Sequence, residues 1–229
     1  MNILITGTSS GIGKATAELL GRDKNNSIIG ISRRPFTGIN ANNNIRNIEF
    51  DLLNGNIETD LVPILKKAFN TIDIVINNAA MIVVKPLELI TLKEWSDLFT
   101  LNVFAAAGLI KAVLPMLTAA AKVSGRSHVV NIASMGGVQG SQKFPGLSAY
   151  SSTKGALATL TECLAVEFSN RNIAVNCLCP GSVETDMLTK AFPGAHTEVT
   201  AEMMATYVAW FCLHGHETMN GKVIPVSLN

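Results

Sequence analysis

Tyr150 and Lys154 stand four residues apart in Tyr150-Ser151-Ser152-Thr153-Lys154. In a helix that spacing sets a phenol and an ammonium side by side on one face. A free phenol, with a pKa of about 10, is a poor proton donor or acceptor at neutral pH, and a fixed positive charge beside it favours the phenolate. The pair therefore has the makings of a tuned general acid or base. The spacing alone also occurs on helices that merely pack a ring and solvate a charge, so its meaning depends on the rest of the chain.

A second chemical feature opens the chain. Residues 2–6 read as an Ile-rich strand, followed at once by Gly7-Thr8-Ser9-Ser10-Gly11-Ile12-Gly13 and then by a helical pattern with apolar residues at 12, 15, 19 and 20. Strand, glycine-rich turn and helix are what holding a pyrophosphate requires. Small residues let the backbone approach, and the N–H groups at the helix start face the anion. The spacing is G-x-x-x-G-x-G, with Ser9, Ser10 and Ile12 between the glycines. Residues 27–31 form a second apolar run that ends in Ser32-Arg33-Arg34. In a dinucleotide-binding unit an acidic residue here binds the ribose 2′-hydroxyl, whereas an arginine accommodates a 2′-phosphate. No carboxylate is nearby, so Arg33, with Arg34 in support, points to NADP(H) over NAD(H).

The remaining elements follow the same rhythm. Residues 37–47 are polar and Asn-rich and read as a mobile surface loop. Strands are expected at 47–50, 72–76, 128–132, 173–178 and 222–226, and helices at 57–69, 91–123, from Tyr150 to about 170, and at 200–213. The 91–123 segment is one long helix or two, with Pro115 as the expected bend and Asn102 in need of a partner among apolar neighbours. Alternating strands and helices imply βαβ units and a doubly wound parallel sheet with helices on both faces, in one domain spanning 1–229. Ligands bind such sheets beyond the carboxyl ends of the strands. The glycine turn, Asp51, Asn77 and Ser134 all fall at such ends.

Composition narrows the partners. The chain has 229 residues, 48% hydrophobic and 15% charged, with a formal net charge of +1. Neither nucleic acid nor a membrane is expected as a partner, and Lys111 and Pro115 make a buried helix a better reading of 103–123 than a membrane span. The N-terminus lacks signal-peptide features and the four cysteines lack metal or disulfide spacing, which points to free thiols and the cytoplasm. His214 and His216 have no third ligand in view and read as surface residues, so no metal is expected.

Taken together, Thr6-Gly7-x-x-x-Gly11-Ile12-Gly13, Asn77-Asn78-Ala79, Asn102, Ser134, Tyr150-x-x-x-Lys154 and Pro180-Gly181 resemble the short-chain dehydrogenase/reductase family, in its order and at roughly its spacings. The resemblance implies a Rossmann-type sheet of about seven strands. It also implies a ketone or aldehyde reductase in which Tyr150 is the general acid, Lys154 lowers the phenol's pKa, Ser134 holds the carbonyl oxygen, and Asn102 anchors a water that links Lys154 to solvent. Asp51 and Leu52 resemble the pair at the adenine ring, Asn77 resembles the residue that stabilises the central strands and borders the cofactor, and Asn78 and Ala79 are expected to bind the cofactor. Pro180, Gly181, Val183 and Thr185 resemble the segment over the nicotinamide. A homodimer or homotetramer is implied as well. Departures are Ala80 in place of glycine, an enlarged 135–147 loop, a short lid at about 185–200 that suggests an open or modest pocket, and an unusual C-terminal Val226-Ser227-Leu228-Asn229. Two other readings are a dinucleotide-binding sensor or scaffold without turnover and a nucleotide-sugar epimerase or dehydratase. The intact set of Asn102, Ser134, Tyr150 and Lys154 speaks against the first, and the chain length and glycine spacing against the second.

Overall fold

The structure, a computed structural model, describes residues 1–40 and 42–228. Residue 41, within the expected 37–47 loop, and residue 229, the last of the C-terminal stretch, lie outside the described residues. Seven strands are formed: β1 (Asn2–Thr6), β2 (Ser27–Ser32), β3 (Ile45–Glu49), β4 (Ile74–Asn77), β5 (Ser127–Ile132), β6 (Ile173–Pro180) and β7 (Val223–Val226). They make one sheet in the order β3-β2-β1-β4-β5-β6-β7, every neighbouring pair parallel. The order reverses between β1 and β4, and a crevice opens there at the strands' carboxyl ends.

The helices are α1 (Gly11–Leu20), α2 (Val62–Ala68), α3 (Leu92–Phe99), α4 (Ala105–Ser124), α5 (Ser148–Glu167), α6 (Asp186–Ala191) and α7 (Ala201–His214). Side chains of a strand alternate between faces, and β1 shows the consequence. Leu4 joins a core with Leu65 of α2, Leu109 and Val113 of α4 and Ala165 of α5. Ile3 and Ile5 join a second core on the other face with Ala17 and Leu20 of α1 and Met204 and Val208 of α7. Both faces are covered, which is why the strands read as nearly continuous apolar runs.

The 91–123 segment is a continuous run from Leu92 to Ser124, long and apolar enough to cross a membrane by length alone. Its inner residues, Leu109, Ile110, Val113 and Leu117, are buried in the sheet core. A capping box between Thr91 and Glu94 starts it, and Gly125 at φ 87° ends it. The break in its regularity is a π-helical turn at Thr100–Phe104, between α3 and α4. Pro115 sits inside α4.

The Asn-rich stretch is not the free loop its composition suggests. Asn42 donates to the carbonyls of Gly21 and Arg22, and Asn44 to those of Asp23 and Asn26. Asn40 closes its own turn by donating to Ile45 O and accepting from Ile45 N. These amides satisfy carbonyls of the turn between α1 and β2, so the connection to β3 is braced without a helix and β3 begins at Ile45.

Candidate active site

The glycine turn is shaped by what a side chain would meet. Gly7 and Gly11 have φ of +77° and +56°, a region that favours glycine. A Cβ on Gly13 would lie 2.4 Å from Gly7 O and from Asn78 Nδ2, so α1 can approach the end of β1 this closely only with glycine there. Thr6 ties the cradle to β4: its hydroxyl accepts from the N–H groups of Asn78 and Ala79, each at 3.0 Å, while Asn78 Nδ2 donates to Thr6 O and Gly7 O. Ser10 precedes α1 without a side-chain capping bond. The N–H groups of the first turn are thus presented to the crevice, the arrangement that binds an anion.

Gly7, Ser9, Ser10, Gly11 and Ile12 line a cavity of about 610 Å³, whereas Gly13 is buried beneath it. The far end of the same cavity is bounded by the exposed Arg33 and Arg34 and by Asp51 and Leu52. Ser32 Oγ donates to Arg34 O at 2.6 Å and fixes the bend that follows β2. Burial pushes the Asp51 carboxyl up, but hydrogen bonds from the Asn54 side chain and Leu53 N–H, with the Arg33 charge, hold it below its ordinary value. Asn78 and Ala79 form the wall between the two ends. The cavity is of ligand size, and its phosphate-sized cradle and flanking cations fit a dinucleotide.

At the other end of the crevice Ser134 follows β5, and Tyr150 and Lys154 project from the first turns of α5 into the cavity wall. Tyr150 is 8% and Lys154 2% exposed. Burial pushes the Tyr150 phenol up to about 12, with hydrogen bonding to Ser134 pulling the other way. Burial also drives the Lys154 ammonium down to about 8, against a smaller upward pull from Cys177 and Cys179. The net shift of the phenol is thus upward, where its pairing with Lys154 suggested a lowered value. Lys154 Nζ donates to Ile132 O at 2.8 Å and lies 5.7 Å from the Tyr150 ring centre. Loss of water is the largest influence on both groups.

Asn102 sits in the π-helical turn and does not line the large cavity. Its Oδ1 accepts from Met81 N at 2.8 Å, and its Nδ2 donates to Met81 O and to Thr153 Oγ1, each at 3.0 Å. Thr153 in turn donates to Tyr150 O. Asn102 therefore braces the segment after β4 against α5. A small pocket of about 10 Å³ lies beside it, bounded by Thr6 and Asn77, room for one water at most. Behind Ser134 the turn Met135–Gly137 presses on α5, and a Cβ on Gly137 would lie 2.5 Å from Lys154 C.

The remaining side of the cavity is built by Pro180 at the end of β6, by Gly181 and Val183 after it, and by α6, whose N-terminus Thr185 caps by accepting from Leu188 N. Glu184 N donates to Val199 O and Thr197 Oγ1 to Ser182 O, pinning the base of the lid. Phe192 of the short lid meets Phe144 of the 135–147 loop edge-on across this side of the pocket, ring centres 5.8 Å apart. Neither phenylalanine carries a motif, and nothing in the sequence singles them out.

Among the described residues no cluster of three or more His, Cys, Asp or Glu side chains could hold a metal ion. His214 is exposed and pairs with Glu217, but His216 is half-buried, 5.2 Å from the ring of His128, so only the first is the surface residue that sequence suggested. The cysteines are free thiols, Cys163 exposed and the other three buried.

Comparison with known proteins places these features in a wider group. The sequence profile of the short chain dehydrogenases matches residues 1–195. The chain is 35% identical over 183 residues to 3-ketodihydrosphingosine reductase of Bacteroides thetaiotaomicron, an alignment covering 80% of this chain and 64% of that protein. It therefore spans a little under two thirds of that relative's length. It is 31% identical over 198 residues to gluconate 5-dehydrogenase of Gluconobacter oxydans, covering 80% and 72%. A crystal structure of a short chain dehydrogenase family protein from Francisella tularensis superposes with a TM-score of 0.84 at 25% identity, over 99% of this chain and 96% of the other.

Proposed function

The chain belongs to the short-chain dehydrogenase family, and on that premise we propose that it is an oxidoreductase that interconverts a carbonyl and a secondary alcohol with NADP(H) in preference to NAD(H). One observation carries the reading. A single cavity has a glycine cradle at the amino end of α1, two arginines beyond β2, and Ser134, Tyr150 and Lys154 at its opposite end.

When bound, the nicotinamide supplies or accepts the hydride. Reduction builds negative charge on the carbonyl oxygen, and the donors must lie where that charge appears. Ser134 and Tyr150 are the two hydroxyl donors of this wall. With its pKa at about 12, Tyr150 holds its proton throughout the neutral range and is ready to give it to the oxygen. The phenolate left behind is offset by the Lys154 ammonium. Asn102 and Thr153 hold α5 in place, and the N–H groups of α1 with the Arg33 guanidinium would hold the cofactor's phosphates. Association into a homodimer or homotetramer in the cytoplasm belongs to the same proposal, with Leu92, Phe104 and Val166 as exposed apolar residues to be covered.

The cofactor assignment is tested by fluorescence titration. Wild type should bind NADPH at least about tenfold more tightly than NADH, and Arg33→Ala should lose that margin through the lost charge-assisted contact. Equal or tighter NADH binding by wild type would overturn the preference. A second test reads Lys154. Its pKa is lowered to about 8, so the positive charge that offsets the phenolate is present below that pH and lost above it. The kcat/KM for reduction should fall above about pH 8, and Lys154→Arg, charged throughout, should lack this limb even if its overall rate is low.

A further inference from the structure

We infer that the substrate is a ketone or aldehyde with an extended apolar substituent, held by Phe144 and Phe192, and not a polyhydroxylated carbonyl. The inference rests on the oxidoreductase reading above and names the substrate class of that same site.

Beyond Ser134 and Tyr150 the cavity is bounded by the 135–147 loop and by α6 with the lid segment after it. The side chains that face it there are Met135, Phe144, Leu147, Met187, Leu188 and Phe192. Several polar groups of these segments are already engaged. Ser141 Oγ donates to Met135 O, Lys143 Nζ donates to Gly136 O and Val138 O, and Thr185 caps α6. The other polar side chains of this wall, Gln142, Ser182, Asp186 and Lys190, are exposed and reach water.

This division decides between substrate chemistries. A sugar-like carbonyl brings several hydroxyls, and each one buried against methionine, leucine or phenylalanine without a partner loses its water at a net cost. An alkyl chain along the same wall gains with every methylene removed from water. Phe144 is 49% exposed although its ring is fixed edge-on against Phe192. Apolar surface held open beside a reaction centre is what an apolar substrate covers. The two rings come from separate segments, one from the loop before α5 and one from the segment after α6. Together they form one apolar edge of the cavity, along which an unbranched chain can lie, and they set the specificity.

The test is a series of NADPH-linked rates on straight-chain 2-alkanones of four to ten carbons, with a keto-hexonate as the polyhydroxylated competitor. We expect kcat/KM to rise about threefold per added methylene before levelling off. Phe144→Ala and Phe192→Ala should flatten that rise, while Phe144→Leu, which keeps an apolar wall, should retain most of it. Faster turnover of the keto-hexonate than of every alkanone overturns the inference and leaves the oxidoreductase reading standing. Failure to reduce any carbonyl overturns the activity itself, and calorimetry then decides the substrate class. The wild-type protein should bind 2-octanol at least tenfold more tightly than 2-butanol, with the margin lost in the two alanine variants. Equal binding of the two alcohols, or tighter binding of sorbitol, overturns it.

Discussion

Replacing Tyr150 by phenylalanine is expected to lower kcat for carbonyl reduction by about 10²- to 10⁴-fold, the span general acid catalysis commands, with NADPH affinity unchanged within about twofold. The substitution removes one oxygen from a ring that is 8% exposed and leaves its packing in place. Ser134 remains as a donor. Its Oγ accepts from Gly136 N, so its proton is free to point at the substrate, and some stabilisation of the developing charge persists. What disappears is the proton source. Burial keeps that proton on the phenol up to about pH 12, so wild type has the acid in hand across the whole neutral range. The defect in the variant should therefore be flat with pH below Lys154's titration. Steady-state kinetics at saturating NADPH, paired with a cofactor titration, separate the two effects. A kcat within tenfold of wild type would sink the role of Tyr150 as the acid.

The legibility of this site in the sequence was uneven, for physical reasons. Strand, glycine turn and helix follow from local pattern, and residues four apart must share a helical face, so the parallel sheet, the cradle and the Tyr150–Lys154 juxtaposition could be read from spacing alone. What spacing cannot carry is the balance of burial against charge. It suggested a lowered phenol, whereas burial raises the phenol and lowers the ammonium, which is directed to Ile132 O. The π-helical turn at Thr100–Phe104 was hidden because one widened turn leaves the 3.6-residue pattern almost intact. Yet that turn carries Asn102 to Met81 and Thr153. The pairing of Phe144 with Phe192 and the bracing asparagines 40, 42 and 44 depend on where two loops end in space, which no local pattern encodes.

The largest stability effect should come from a residue with no part in the chemistry. His128 is 1% exposed on β5, between α7 and the segment leading to β7. A carbonyl can only accept, so the 3.0 Å contact with Cys212 O puts the proton on Nδ1, and Nε2 accepts from Asn176 Nδ2 at 3.0 Å. Asn176 also donates to Met219 O and accepts from Lys222 N, so the neutral ring organises the last strand's approach. Burial, with the charges of His216 and Arg126 alongside and against the upward pull of Cys212 O, lowers its pKa from 6.5 to about 3. The sign follows from proton uptake. Between those two values the unfolded chain binds a proton that the folded chain refuses, so stability is fully present above about pH 6.5 and is lost as pH falls toward 3. A gap of that size is worth about 4–5 kcal/mol, a large part of the 5–15 kcal/mol of a typical domain. Urea midpoints measured from pH 7 to pH 3 should fall steeply for wild type. His128→Gln starts lower, because the ring's packing against Phe211 is lost, but its midpoint should decline more gently. The rest of the chain is common to both proteins, so the difference between the two declines reports the ring at position 128 and its contact with His216. Parallel declines in the two proteins would mean that His128 is already protonated in the fold, and that Nε2 does not accept from Asn176.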